Sequence, residues 1–130
     1  MDVEANEQSN AIRKKSEELI DDLGLEVVAD LLQSFIDDSA DTFAEFRRGL
    51  EVNDLTEIRR IAHSLKGISE MYGLTKAAHL AKRLEDAAAQ GLQTEIPTLI
   101  EQLEPTFWTG ANQLAEHYQT THRLSLTLPR

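Results

Sequence analysis

The stretch Leu55-Thr56-Glu57-Ile58-Arg59-Arg60-Ile61-Ala62-His63-Ser64-Leu65-Lys66-Gly67 decides how the chain is read. On a helical wheel of about 100° per residue, Leu55, Ile58, Ala62, Leu65 and, beyond the stretch, Ser69 share one face, with Ile61 and Tyr72 on its flank. His63 falls roughly 150° from that face, Arg59, Lys66 and Glu70 lie within about 60° of it, and Gly67 follows one turn along the same side. A core histidine would stand on the opposite face. The pattern predicts an imidazole presented to solvent on a regular helix over about 54–71.

Working upstream, Asn53-Asp54 breaks one helix and caps the next. Before it, Val28, Leu31, Leu32, Phe35, Ser39, Phe43, Phe46 and Leu50 form the apolar stripe of a long helix over about 25–52. Gly24 ends a short first helix, capped by Asn10 and running to about Asp22, with Ile12, Ser16, Leu19 and Ile20 or Leu23 facing inward. Residues 1–9 are polar and expected to be a flexible N-terminus.

Downstream, Gly73 interrupts, and Thr75 helps to start a fourth helix that reaches about Ala89. Its Leu74, Ala77, Ala78, Ala81, Leu84 and Ala88 line one side, small enough for neighbouring helices to approach closely. Gly91 terminates it. Thr94 caps a last segment that tolerates Pro97 in its first turn. Ile96, Leu99, Ile100, Leu103, Phe107, Ala111, Leu114 and Tyr118 keep one phase through Pro105, which predicts a single kinked helix over about 95–120. Leu124-Ser125-Leu126-Thr127-Leu128-Pro129 alternates like a strand, but no second strand is available to pair with it, so 122–130 reads as a tail or linker. Short connections between long amphipathic helices predict an all-α fold, an antiparallel four-helix bundle with a short extra N-terminal helix, over residues 10–121.

Composition narrows the function. The 130 residues suit one domain; 41% are hydrophobic, 5% are aromatic, and glycines number six and prolines three. That balance favours helices over sheets. A formal charge of −10 argues against nucleic-acid binding, which needs a basic surface. Without cysteine there is neither a disulfide framework nor thiolate chemistry. No apolar run approaches the roughly 20 residues that span a bilayer, and Met1-Asp2-Val3-Glu4 is not a signal-peptide start. A monomeric cytoplasmic protein, or an excised intracellular domain, is expected.

A neutral imidazole facing solvent is a nucleophile near neutral pH and a plausible phosphoryl acceptor. One nitrogen attacks while the other is held by a hydrogen-bond acceptor. Lys66, one turn on, brings an ammonium to the phosphoryl oxygens, and such charge stabilisation is most of what a protein supplies to phosphoryl transfer. Gly67 costs about 1 kcal/mol against alanine in an exposed helix. Its bareness would let a partner's active site come close to His63.

His63-Ser64-Leu65-Lys66-Gly67, followed by Gly73-Leu74 and Leu84-Glu85, resembles the H-x-x-K-G signature of histidine-containing phosphotransfer (HPt) domains. The P1 domains of chemotaxis-type histidine kinases are relatives of that family. The motif-bearing stretch is 54–90, and the helix pattern extends the likeness over most of 10–120. The resemblance implies that His63 is phosphorylated on Nε2 by a receiver-domain aspartyl phosphate or a kinase domain, then passes the group to another receiver aspartate in a two-component phosphorelay. It makes Lys66 the phosphoryl-oxygen partner and puts Glu85 where many relatives carry a Glu or Gln that hydrogen-bonds the imidazole. The wheel agrees independently, with Glu85 about 60° from the centre of the fourth helix's apolar side.

Gly67, Arg59, Arg60, Ser64, Ile68, Glu70 and Lys82 are expected to meet the partner, a response-regulator receiver or a sensor or hybrid histidine kinase. Arg59, Arg60, Lys76, Lys82 and Arg83 form a basic rim suited to an acidic pocket. Ile68 stands where relatives more often have a small residue, and Lys82 where chemotaxis-type P1 domains commonly have a second histidine. His79, His117 and His122 show no constellation and read as surface residues. No nucleotide-binding glycine loop is present, so the chain is a carrier without its own ATP site. No histidine has a Glu three residues before it, as a di-metal bundle would need. No cofactor is expected, since the Mg²⁺ belongs to the receiver. Two other readings stay open: a P1 phosphoacceptor domain cut from a larger chemotaxis-type kinase, and a phosphate-independent helical adaptor.

Overall fold

A computed structural model describes the backbone of residues 3–129 and the side chains of residues 7–129. The first residues of the expected flexible N-terminus lie outside the described residues. Those described form five helices and no strand: α1 (Val3–Leu23), α2 (Leu25–Glu51), α3 (Leu55–Met71), α4 (Thr75–Gln90) and α5 (Ile96–His122). The expected punctuation holds at several joints. Gly24 and Gly91 take positive φ (87° and 70°), a conformation that lets the chain turn without a Cβ clash. Asp54 accepts the Glu57 amide at 3.1 Å, capping α3.

The core is helix against helix. Phe43, Phe46 and Phe107 are fully buried, and Phe35 nearly so, beneath the apolar stripes of α2–α5. Phe107 meets Phe35 edge-on at 5.5 Å between centroids, and Phe35 stacks on Tyr72 at 5.1 Å. Each such side chain contributes about 1.5–3 kcal/mol by leaving water. Ser39, on the same inner stripe, satisfies its hydroxyl by donating to the Phe35 carbonyl one turn back at 2.6 Å. The alanines of α4 are buried along its length and leave α3 and α4 the most closely packed pair of helices. α5 runs unbroken through Pro105, as the continuous phase requires.

Several expectations need correction. The first helix is not short: α1 has 21 residues and begins at Val3 instead of Asn10. Gln8 explains why that extension belongs to the fold. Only 2% exposed, it accepts the Lys76 amide at 3.0 Å and the Thr75 hydroxyl at 3.3 Å, and donates to Gln113 at 2.5 Å. An orphan amide in the first turn of α4 is thus capped from α1, a role Thr75 does not perform itself. Gly73 completes the joint. It has φ 80°, and a Cβ there would stand 2.6 Å from the backbone of Ala11 and Ile12, so α1 lies directly against the α3–α4 turn.

Thr94 caps nothing; Glu95 precedes α5 without a side-chain cap. Leu31, assigned inward, is 46% exposed, because the apolar stripe of α2 is wider than the surface its neighbours cover; of the two alternatives on α1, Ile20 packs against the core and Leu23 is 45% exposed. His117 and His122 are half-buried beside Tyr118. Burial, then the neighbouring His122, hold His117 below the usual histidine range, Arg13 adding to this and Glu17 opposing it. The tail, finally, lies against the core through Leu124, Leu126 and Leu128.

Candidate functional site

The α3–α4 pair assembles a polar trio. α3 turns the stripe of Ile58, Ala62 and Leu65 inward, which leaves His63 on the outer side with 66% of its side chain exposed. α4 buries Ala81, Leu84 and Ala88 and so holds Glu85 at the rim of the same seam, 12% exposed. His63 Nδ1 and Glu85 Oε1 are 3.0 Å apart. The second oxygen, Glu85 Oε2, lies 3.7 Å from Lys66 Nζ, an ion pair longer than a hydrogen bond.

Charge and tautomer follow from this placement. Burial is the largest single influence on Glu85 and pushes its carboxyl up. The hydrogen bond from His63 and the charges of Lys66, His63 and Lys82 together outweigh it, and hold the carboxyl below its ordinary 4.5. An ionised carboxylate only accepts hydrogen bonds. Nδ1 is therefore the donor in this contact, and in the neutral ring the lone pair belongs to Nε2, on the far side of the ring from Glu85. Such a ring can accept an electrophile at Nε2, and the cation that results is stabilised at Nδ1.

The other expected residues divide. Beside His63, a Cβ on Gly67 would meet nothing within 4 Å, so the approach is open. Arg59, Ser64 and Glu70 are exposed and Ile68 is half-buried against the core. Arg60 is exposed but pairs with Glu57. Lys82 pairs with Asp86 at 3.1 Å, and the direct contacts of Glu85 are with His63 and Lys66. Arg60, Ser64 and Ile68 also line a cleft of about 220 Å³ between α3 and α2, whose far wall is Asp38, Thr42 and Glu45. Nothing in the sequence separated those α2 residues from an ordinary solvated face. Among the described residues no cluster of His, Cys, Asp or Glu could hold a metal ion, and no helix is long and apolar enough to cross a membrane.

The described residues thus combine an all-helical fold with an exposed histidine held by a carboxylate. The family model of the Hpt domain matches residues 30–124, well over half of the chain, and the protein belongs to that family, whose members take part in histidine phosphotransfer with receiver domains and histidine kinases. No curated protein matches the chain, and no solved structure does. α1 and the end of the tail lie outside the matched segment.

Proposed function

We propose that the protein carries a phosphoryl group on His63 Nε2 and relays it between receiver-domain aspartates in the cytoplasm, as a monomer. One observation carries the reading: Glu85 holds Nδ1 at 3.0 Å while the ring stays 66% exposed. In the forward step the Nε2 lone pair attacks the phosphorus of an aspartyl phosphate. The Nε2–P bond forms as the P–O bond to the aspartate breaks, and the freed carboxylate leaves with the bonding pair. Glu85 steadies the imidazolium that results, and Lys66 turns its ammonium towards the phosphoryl oxygens. The reverse step delivers the group to the next receiver, and Mg²⁺ is supplied by that partner. An antiparallel bundle of α2–α5, braced by α1, serves as the stiff post on which the ring is mounted.

Charge supports the choice of partner. Between positions 59 and 83 stand Arg59, Arg60, Lys66, Lys76, Lys82 and Arg83 against a single acid, Glu70, in a chain whose formal charge is −10. Arg60, Lys66 and Lys82 are partly neutralised by Glu57, Glu85 and Asp86, and the basic charge that remains along α3 and α4 suits the acidic pocket of a receiver domain. Gly67, Ser64 and Ile68 form its contact surface.

Incubation with a ³²P-labelled phosphorylated receiver tests the proposal. The wild-type chain is expected to take up an acid-labile label, and His63→Gln to take up none while keeping its helical circular dichroism. Label retained by the variant, or stable to acid, would overturn the assignment.

A further inference from the structure

The alternating tail finds its missing strand partner in a side chain. Arg123 turns left-handed (φ 54°) at the end of α5 and sends the chain back along α2. There the Thr127 amide donates to Gln33 Oε1 at 2.9 Å, and Gln33 Nε2 donates to the Thr127 carbonyl at 2.8 Å. Gln33 thus exchanges both bonds with one residue's backbone, as a paired strand residue does. Its amide orientation is fixed by a third bond, from Nε2 to Asp37 Oδ1 at 2.9 Å. Leu124, Leu126 and Leu128 are half-buried against the core while Ser125 and Thr127 face water. Pro129 ends beside Ala40 of α2 and Trp108 of α5. Beyond Leu124 no backbone–backbone hydrogen bond holds the segment among the described residues.

We infer that the α2–α5 seam is a binding groove for an extended peptide with leucines at alternate positions, and that residues 124–129 are its intramolecular ligand. The contact from Gln33 reads backbone and is indifferent to sequence, whereas the leucine positions supply selectivity, the division of labour seen when a peptide is added to a sheet edge. The groove uses α2 and α5 and neither His63 nor Glu85, so the inference stands apart from the phosphoryl role.

Trp108 is the single tryptophan and reports on the groove. In the full-length chain carrying Leu124→Ser, Leu126→Ser and Leu128→Ser, its emission is expected to shift to longer wavelength. A synthetic peptide of residues 124–130 should reverse that shift saturably. Adding Gln33→Ala to the triple variant should weaken the peptide about fivefold, the equivalent of one backbone-directed pairing. Should the triple variant fail to fold, Gln33→Ala alone, at a partly exposed position, should still accelerate exchange of the Thr127 amide. An emission unmoved by the serines overturns the inference, as does a peptide without saturable effect. A wild-type chain whose Thr127 amide exchanges at the free-peptide rate also overturns it. So does a concentration-dependent dimer that holds the tails between copies, because the ligand would then not be intramolecular.

Discussion

Gly67 and Gly73 bound the last turns of α3, and a methyl group would mean opposite things at each. At Gly67 it would meet nothing within 4 Å; at Gly73 it would strike the α1 backbone at 2.6 Å. A bare position in or beside a helix carries an entropic penalty in either case. At Gly73 the return lies inside the molecule: α1 seats against the α3–α4 turn, and Gln8 reaches the Lys76 amide. At Gly67 no neighbour within the described residues collects any return, and the proposed docking of a partner is what would offset the penalty. The two glycines therefore separate a side of the molecule built for its own stability from one where an added side chain would meet nothing, the side on which the proposed partner would dock.

The largest effect expected from breaking this contrast is that of Gly73→Ala. A left-handed alanine costs about 1–2 kcal/mol, and forcing a methyl into a packed joint about 1–3 kcal/mol more. The urea midpoint should fall accordingly, and transfer should suffer only as far as the chain unfolds. A variant as stable as the wild type would show that α1 is not seated on this turn. Gly67→Ala should act with the opposite sign, gaining about 1 kcal/mol from helix propensity while slowing transfer from a phosphorylated receiver. A raised melting temperature with an unchanged single-turnover rate would strip Gly67 of its steric role.

The same contrast explains what could be read from the sequence. α3 and α4 were legible because one periodicity governs both the buried stripe and the outward His63, and Glu85 sits at the stripe's edge where a neighbour can be reached. The folded-in start of α1 was not, because Gln8 caps a helix far along the chain, and a polar residue gives no local sign of such a role. The tail's period of two was plain, yet its partner is a glutamine side chain on a helix, which no strand search would return. Leu31 misled because an apolar residue at the flank of a wide stripe looks the same whether or not a neighbour covers it. Asp38, Thr42 and Glu45 went unnoticed since a polar helix face becomes a cleft wall only once α3 stands opposite.

The smallest expected effect lies on the open side, in the titration of Glu85. Its folded pKa lies below the ordinary 4.5, with burial opposing the shift and the His63 hydrogen bond leading the forces that produce it. Between the two values the unfolded chain binds more protons, so stability rises with pH there. Glu85's contribution is complete above about the ordinary carboxyl value and disappears as pH falls through the folded one. His63→Ala removes both the donor and part of the favourable charge and leaves burial less opposed, so the Glu85 carboxyl should titrate at higher pH than in the wild type. Carbon-detected NMR of that carboxyl measures the change directly. An unmoved titration would mean that Glu85 is held down by Lys66 and Lys82 alone, and the imidazole would lose the partner that fixes its tautomer.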